Sequence, residues 1–252
     1  TCSLGYIMES NIHQSENSQN KCALILFAKY PIMGKVKTRL AKDTDDDFAL
    51  NIYKCFIKDS LNRFGVVDAD LIMFVRGKSV IGTFKKTFNI KVPCYPQITG
   101  DLGLRMQHAM QKMFSKDYDR VAIVGSDSPD LPVSYINDAF YCLSKNDVVI
   151  GPSYDGGYYL TGCSSSLPLI KLFSNIEWST NKVLSQTLDR IKTNGYSCHL
   201  LKKWRDIDTL KDLDFCHKNA YKTEFINSHT IKYLNYLNKR EKLFIDESKH
   251  LY

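Results

Sequence analysis

Two groups of residues in this chain have the types and spacing needed to handle an anion. The first lies in Phe27-Ala28-Lys29-Tyr30-Pro31-Ile32-Met33-Gly34-Lys35-Val36-Lys37-Thr38-Arg39-Leu40, where four cations and a turn glycine follow the apolar run Ala23 to Ala28. Open α/β sheets bind ligands outside the carboxyl ends of their strands, so Lys29, Lys35, Lys37 and Arg39 suit a grip on phosphates. The competing reading is a solvated basic loop. The second group is acidic. Gly125-Ser126-Asp127-Ser128-Pro129-Asp130 sets two carboxylates three positions apart on a turn, and Arg205-Asp206-Ile207-Asp208-Thr209 makes another acidic turn. Hard carboxylate oxygens suit Mg²⁺ that also binds substrate phosphates, and two such turns brought together would surround one or two cations. Asp and Pro are equally at home in the first turn of a helix, so capping competes at both places.

The elements that must position these groups are legible from apolar patterning. Ala23 to Ala28 is six apolar residues between a polar tail and a Pro/Gly turn, the form of a strand buried on both faces. Asp45 to Phe64 carries Phe48, Ile52, Cys55 and Phe56 at helical spacing after an acidic first turn. Strands are expected at Ala69 to Val75, Ile90 to Tyr95 (ending before Pro96), Val121 to Val124 and Asp147 to Ile150. Ser197 to Leu201 reads as extended. Helices are expected at Gly100 to Phe114, Val133 to Leu143, Thr180 to Thr193 and Thr209 to Lys218, the last after the cap-like Asp208-Thr209 pair. Strands alternating with helices over about 200 residues predict a mainly parallel sheet covered on both faces. Tyr158 and Tyr159, after a double glycine, suit either a hairpin strand or a ligand platform. Arg105 and His108 share a helix, and Glu177 and Trp178 read as a capping and packing pair.

Composition narrows the class. With 252 residues and 44% hydrophobic content, the chain can bury a substantial core. A net charge of +7 suits an anionic small molecule, and equally a weak attraction to nucleic acid or an acidic membrane surface. Nucleic acid is disfavoured, since helix-turn-helix, zinc-finger and RNP-type signatures are missing. The eight cysteines form no CxxC pair and the six histidines no ligand-spaced cluster, which excludes zinc fingers and a disulfide framework. No run reaches the roughly 18 apolar residues of a membrane helix and residues 1–20 lack signal-peptide zones, so a cytoplasmic protein is expected. Residues 1–20 are polar and read as a disordered lead-in, with Met8 the expected native start. Residues 21–219 read as one domain, and 220–252 as a helical extension whose apolar residues include Ile226, Ile231, Leu234 and Leu237. That extension would pack on the domain or on a partner, a homo-oligomer included.

Six segments in order carry a family resemblance: FAKYPIMGKVKTRL, GDLGLRM (100–106), VGSDSPDLP (124–132), GPSYDGGYYLTG (151–162), EWST (177–180) and DIDTLKDL (206–213). Together, over about residues 22–215, they resemble the DUF2064 family of the nucleotide-diphospho-sugar transferase superfamily. The first loop and the DGG turn are also similar to those of 2-phospho-L-lactate guanylyltransferases. The resemblance implies a single GT-A (Rossmann-like) α/β domain. It implies Asp127, Asp130 and Asp208 as ligands of Mg²⁺ or Mn²⁺, and Lys29, Lys35, Lys37 and Arg39 as phosphate contacts, with Gly34 letting the backbone approach the anion. Gly100, Asp101, Arg105 and Ser126 would lie near the nucleotide. Asp155, Gly156, Gly157 and Tyr158 would shape the acceptor pocket. The loop departs from the family where Met33 replaces a frequent proline, and it lacks the multi-glycine signature of molybdenum-cofactor and hexose-phosphate nucleotidyltransferases.

Three functions fit these residues. Nucleotidyl transfer to a small acceptor would use the cations, Lys37 and Arg39 foremost, against a triphosphate and its leaving pyrophosphate. Glycosyl transfer from a nucleotide-sugar would need less positive charge and a carboxylate base, for which Asp155 is the candidate. A non-catalytic nucleotide-binding protein acting through its C-terminal segment is the third. Four cations in eleven residues favour the triphosphate.

Overall fold

The computed structural model describes residues 21–77, 79–165 and 167–249, with side chains as far as 239. The expected lead-in, 1–20, lies outside the described residues. Seven strands form one sheet: β1 (Cys22–Lys29), β2 (Asp70–Arg76), β3 (Cys94–Gln97), β4 (Arg120–Gly125), β5 (Val148–Pro152), β6 (Tyr158–Ser164) and β7 (Cys198–Leu200). Their order is β3-β2-β1-β4-β6-β5-β7, parallel except for β6, which runs antiparallel to β4 and β5. The order reverses between β1 and β4, and a crevice at their carboxyl ends is where such sheets bind ligands.

Nine α-helices cover the sheet among the described residues: α1 (Thr38–Asp43), α2 (Asp46–Phe64), α3 (Ile81–Phe88), α4 (Leu102–Phe114), α5 (Val133–Leu143), α6 (Leu169–Phe173), α7 (Val183–Thr193), α8 (Leu210–Asn219) and α9 (His229–Lys249). Alternation along β1 divides the core. Leu24, Leu26 and Ala28 pack on one face with residues of α2, α3, α5, α8 and α9, while Ala23, Ile25 and Phe27 pack on the other with α4, α6 and α7. Both faces are thus dry, which is why β1 reads as a continuous apolar run. None of these helices is long and apolar enough to cross a membrane.

Two elements differ from the sequence reading for identifiable reasons. The third strand begins at Cys94 rather than Ile90 and includes Pro96. It is an edge strand that pairs only with β2, so a residue without an N–H is tolerated there. Ile90 instead closes α3, its N–H bonding Lys85 O at 2.9 Å after Asn89 in the left-handed conformation, a Schellman stop. The helix expected from Thr180 starts at Val183, because Thr180 Oγ1 donates to Glu177 O and accepts from Lys182 N, closing a turn first. At the C-terminus, two 3₁₀ turns (Ala220–Lys222 and Glu224–Asn227) lead into α9, which packs on α2 with Phe48 and Tyr233 rings 6.2 Å apart.

Candidate functional site

A cavity of about 670 Å³ opens at the carboxyl ends of β1, β2 and β4 and the amino end of the antiparallel β6, within the range that holds a small ligand. Of the residues expected at the site, Lys29, Lys37, Arg39, Arg105, Ser126, Asp127, Asp155, Gly157, Tyr158 and Asp208 line it. The centre is a three-way ion pair. Lys37 Nζ lies 2.5 Å from Asp127 Oδ1 and 2.9 Å from Asp208 Oδ1, and donates to Ile207 O at 2.7 Å. Its side chain is 3% exposed, whereas Asp127 is half open to the cleft.

The backbone prepares this arrangement. Lys37 precedes α1 with φ 47° and ψ 43°, the left-handed region that costs a non-glycine residue about 1–2 kcal/mol. Strain of this kind survives where the surroundings fix it, here through an ammonium anchored by two carboxylates and a carbonyl. The two acidic turns are stitched together directly. Ile207 N donates to Asp127 O at 2.9 Å, and Ser128 Oγ to Asp206 Oδ1 at 2.5 Å. Capping claims neither carboxylate of the ion pair: Thr209 caps α8, in a box with Asp212, and Pro132 occupies the N-cap position of α5. Asp208 is therefore left to face Lys37 and, at 3.5 Å, the exposed Arg39.

Electrostatics follow from burial and neighbours. Burial opposes the charge on Lys37, but Asp127 and Asp208 outweigh it and hold its pKa above the lysine norm. Burial likewise opposes ionisation of Asp127, yet Lys37 keeps its pKa below the usual value. Asp206 goes the other way: burial pushes it up to about 7, Ser128 resists, and the charges of Asp127 and Asp208 add to the rise. Ser126 is held behind the site by Tyr53, whose hydroxyl sits 3.0 Å from Ser126 Oγ and accepts from Lys29 N at 2.8 Å. Tyr53 was not singled out in the sequence, since nothing distinguishes it there from a core residue of α2.

Several expected residues stand elsewhere. Gly34 and Lys35 are off the cavity wall. Gly34 has φ +70°, and a Cβ there would meet Asp46 Oδ2 at 3.3 Å, so the turn itself calls for glycine. Gly100 and Asp101 begin α4, where Asp101 Oδ1 accepts from Leu104 N at 2.8 Å as the cap. Gly156 has φ +91° and packs against Asn181, which leaves no room for a side chain. Asp130 is turned away from the cleft, accepting from Trp204 Nε1 at 3.1 Å, and burial raises its pKa. Because burial opposes its charge and it stands off the cavity wall, Asp130→Asn is expected to melt within about 1 kcal/mol of wild type at pH 7, with turnover within twofold. Parallel melts and assays check this.

The far wall is built by the β5–β6 hairpin. Asp155 Oδ1 accepts from Gly157 N at 3.0 Å and from Ser153 Oγ, so one carboxylate oxygen serves the turn. Tyr158 stands edge-on to Trp178 at 6.5 Å. Trp178 reaches the cavity because α4 has a glycine beneath it. A Cβ on Gly103 would lie 2.6 Å from Trp178 Cζ2 and 2.7 Å from Phe173 O. Gly103→Ala is therefore expected to cost about 1–3 kcal/mol in urea and to change the Trp178 emission. Glu177 turns outward to Lys182 and Gln186.

Known proteins carry the same framework. The model of the DUF2064 family, described as an uncharacterized protein conserved in bacteria, matches residues 62–180. A crystal structure from Desulfovibrio desulfuricans G20, of a "putative nucleotide-diphospho-sugar transferase", is 33% identical, with a TM-score of 0.82 over 86% of this chain and 95% of that one. The chain belongs to the DUF2064 family. This DUF2064 protein also resembles a cytidylyltransferase from Leptospira borgpetersenii serovar Hardjo-bovis (14% identity, TM-score 0.54, 88% of this chain and 95% of that one). A nucleotidyl transferase from Methanothermobacter is similar too (13%, 0.54, 81% and 100%). At such identities the likeness shows the nucleotide-sugar transferase fold alone. No curated protein matches the sequence.

The groups that could hold a hard divalent ion here are the carboxylates of Asp127 and Asp208. Asp127 and Asp208 converge on one point, now taken by Lys37 Nζ, and no cluster of three or more His, Cys, Asp or Glu forms among the described residues. Mg²⁺ is commonly held by one or two carboxylates with waters and substrate phosphates completing its shell.

Proposed function

We propose that the protein is a divalent-metal-dependent transferase that moves a nucleotidyl group from a nucleoside triphosphate to a small phosphate- or hydroxyl-bearing acceptor. The observation that carries this reading is the convergence of Lys37, Asp127 and Asp208 in the crevice between β1 and β4. Lys29 and Arg39 stand on the same wall. Asp127 and Asp208 would hold Mg²⁺ or Mn²⁺. The metal supplies Lewis-acid neutralisation of phosphate oxygens. Lys37, released from its carboxylates, turns its ammonium to the phosphates and, with Arg39, offsets charge growing on the leaving pyrophosphate. Asp155 and Tyr158 bound the acceptor side. A second reading, glycosyl transfer from a nucleotide-sugar, is favoured by Asp155 on the cavity wall and by the name of the Desulfovibrio relative.

Thermal stabilisation decides between them. Wild type and Asp127→Ala are melted with nucleoside triphosphates, diphosphates and nucleotide-sugars, each with Mg²⁺ or Mn²⁺. Metal-dependent stabilisation by one triphosphate, lost in the variant, supports nucleotidyl transfer and names the base. Selective response to a nucleotide-sugar moves the assignment to glycosyl transfer. No response to any member sinks both.

A further inference from the structure

Besides the cations of the first loop, two more arginines line the cavity, and one of them, Arg76, is the partner of Lys29 in the β1–β2 register. Arg76 ends β2, and Gln97, its partner in the β2–β3 register, ends β3. Arg105 lies one turn into α4, and all three side chains line the cavity. We propose that Arg76 and Arg105, braced by Gln97, form a second anion subsite for a carboxylate or phosphate group of the substrate, next to Lys29 and distinct from the Lys37 and Arg39 grip. The proposal rests on the reading that this cleft holds substrate.

Gln97 is the brace. Its side chain is buried, and Nε2 donates to Phe74 O at 2.8 Å and to Ala28 O at 3.3 Å, the carbonyls near the ends of β2 and β1. Those bonds fix the amide so that Oε1 must point the other way, and it accepts from Arg105 Nη1 at 2.9 Å. Arg105 Nε is held in turn by Asp101 O at 3.1 Å. The guanidinium is thus clamped by neutral acceptors, with the Nη2 donors left over.

Neither arginine has a carboxylate partner among the described residues. Burial works against the charge on Arg105 and the like charge of Arg76 adds to that, with the charge of Asp101 offsetting only part. Guanidinium stays protonated in such surroundings, so the pair carries an electrostatic cost that an incoming oxyanion relieves. Its fork matches the two oxygens of a carboxylate or phosphate. The sequence shows Arg105 beside its helix start, but Arg76 looks like any polar residue closing a strand. Only the β2–β3 register places it next to Gln97.

The test reads Arg105 directly. Its Nε–Hε resonance, identified by its loss in Arg105→Gln, is followed in ¹⁵N spectra at low ionic strength during titration with acetate, inorganic phosphate or chloride. A saturable shift with acetate or phosphate is expected, absent with chloride, weakened at least tenfold in Arg76→Gln and unchanged in Arg39→Gln. Saturation by acetate assigns a carboxylate, and saturation by phosphate alone assigns a phosphate. No saturable shift, an equal shift with chloride, or full affinity in Arg76→Gln would overturn the subsite. So would a shift with a neutral nucleoside but neither anion. Asp127→Asn separates this proposal from the assigned reaction: the anion should still bind there, whether or not turnover is lost.

Discussion

Asp127→Asn is expected to lower metal-dependent turnover by about 10³-fold or more while leaving the fold intact. The amide removes the charge that a divalent ion needs, but its oxygen can still accept from Lys37, whose other anchors are Asp208 Oδ1 and Ile207 O. The melting temperature should therefore change little. The residual effect on stability is small because Asp127 is half open to the cleft, where water screens the lost charge. Lys37→Met would behave differently. It leaves Asp127 and Asp208 facing one another without a counter-charge, so that both stability and phosphate binding decline. Turnover of the triphosphate that stabilises wild type, measured with saturating Mg²⁺, checks the first expectation. An Asp127→Asn enzyme within tenfold of wild type would remove Asp127 from the reaction.

The same geometry explains why the cations and carboxylates have to be read as one unit. The ammonium of Lys37 stands where the two carboxylates converge. On the proposed reading, Asp127 and Asp208 would hold a divalent ion at the point the ammonium occupies, and Lys37 would then turn toward the open cleft and the phosphates of a nucleotide. Metal and triphosphate should consequently bind better together than either does alone, a coupling that is reciprocal by linkage. The stitched turns beneath, with Ile207 N on Asp127 O and Ser128 on Asp206, tie the two carboxylate-bearing turns to one another.

Much of this was legible in the sequence because the strands beside the switch point are dry on both faces. β1, β2 and β4 appear as apolar runs for that reason, and the turns that follow them hold Lys37 and Asp127. The long helix α2 was equally plain from its spacing and acidic first turn, and the expected bounds of α5 match those observed. The short helices α1, α3 and α6 escaped because five to eight residues give too little periodicity to separate a helix from a loop. Of the site, the meeting of two acidic turns was foreseeable from their chemistry. What each neighbour does was not: Thr209 takes the capping that Asp208 was equally suited to, and Trp204 claims Asp130 across 74 positions of sequence. Residue type gives capacity, and only the register of the sheet assigns it. Arg76 and Gln97 make the same point, since their relation exists only through β2–β3 pairing.

Asp59→Ala is expected to destabilise the protein by about 3 kcal/mol without affecting turnover at 25 °C. Asp59 is 4% exposed on α2, and its carboxylate accepts from His229 N at 2.7 Å, Thr230 N at 2.9 Å and Thr230 Oγ1 at 2.6 Å. It thus caps the start of α9 from 170 positions away, placing a negative charge at the positive end of the helix dipole. Alanine would strip three donors of their acceptor in a dry contact. Hydrogen bonds to a charged group contribute roughly 1.5–3 kcal/mol each, but they share one carboxylate and do not add in full. For a chain of this size the loss corresponds to a fall of roughly 6–12 °C in melting temperature. The damage should start locally: amide exchange at the start of α9 would accelerate before that of β1 or β4, because α9 joins the fold mainly through α2. Asn, which keeps one acceptor oxygen, should recover part of the loss. Urea melts of both variants with exchange measured over 229–239 test the clamp. A penalty below about 1 kcal/mol for alanine, or uniform exchange across the sheet and α9, would show that α9 is held by its apolar contacts with α2 and not by Asp59.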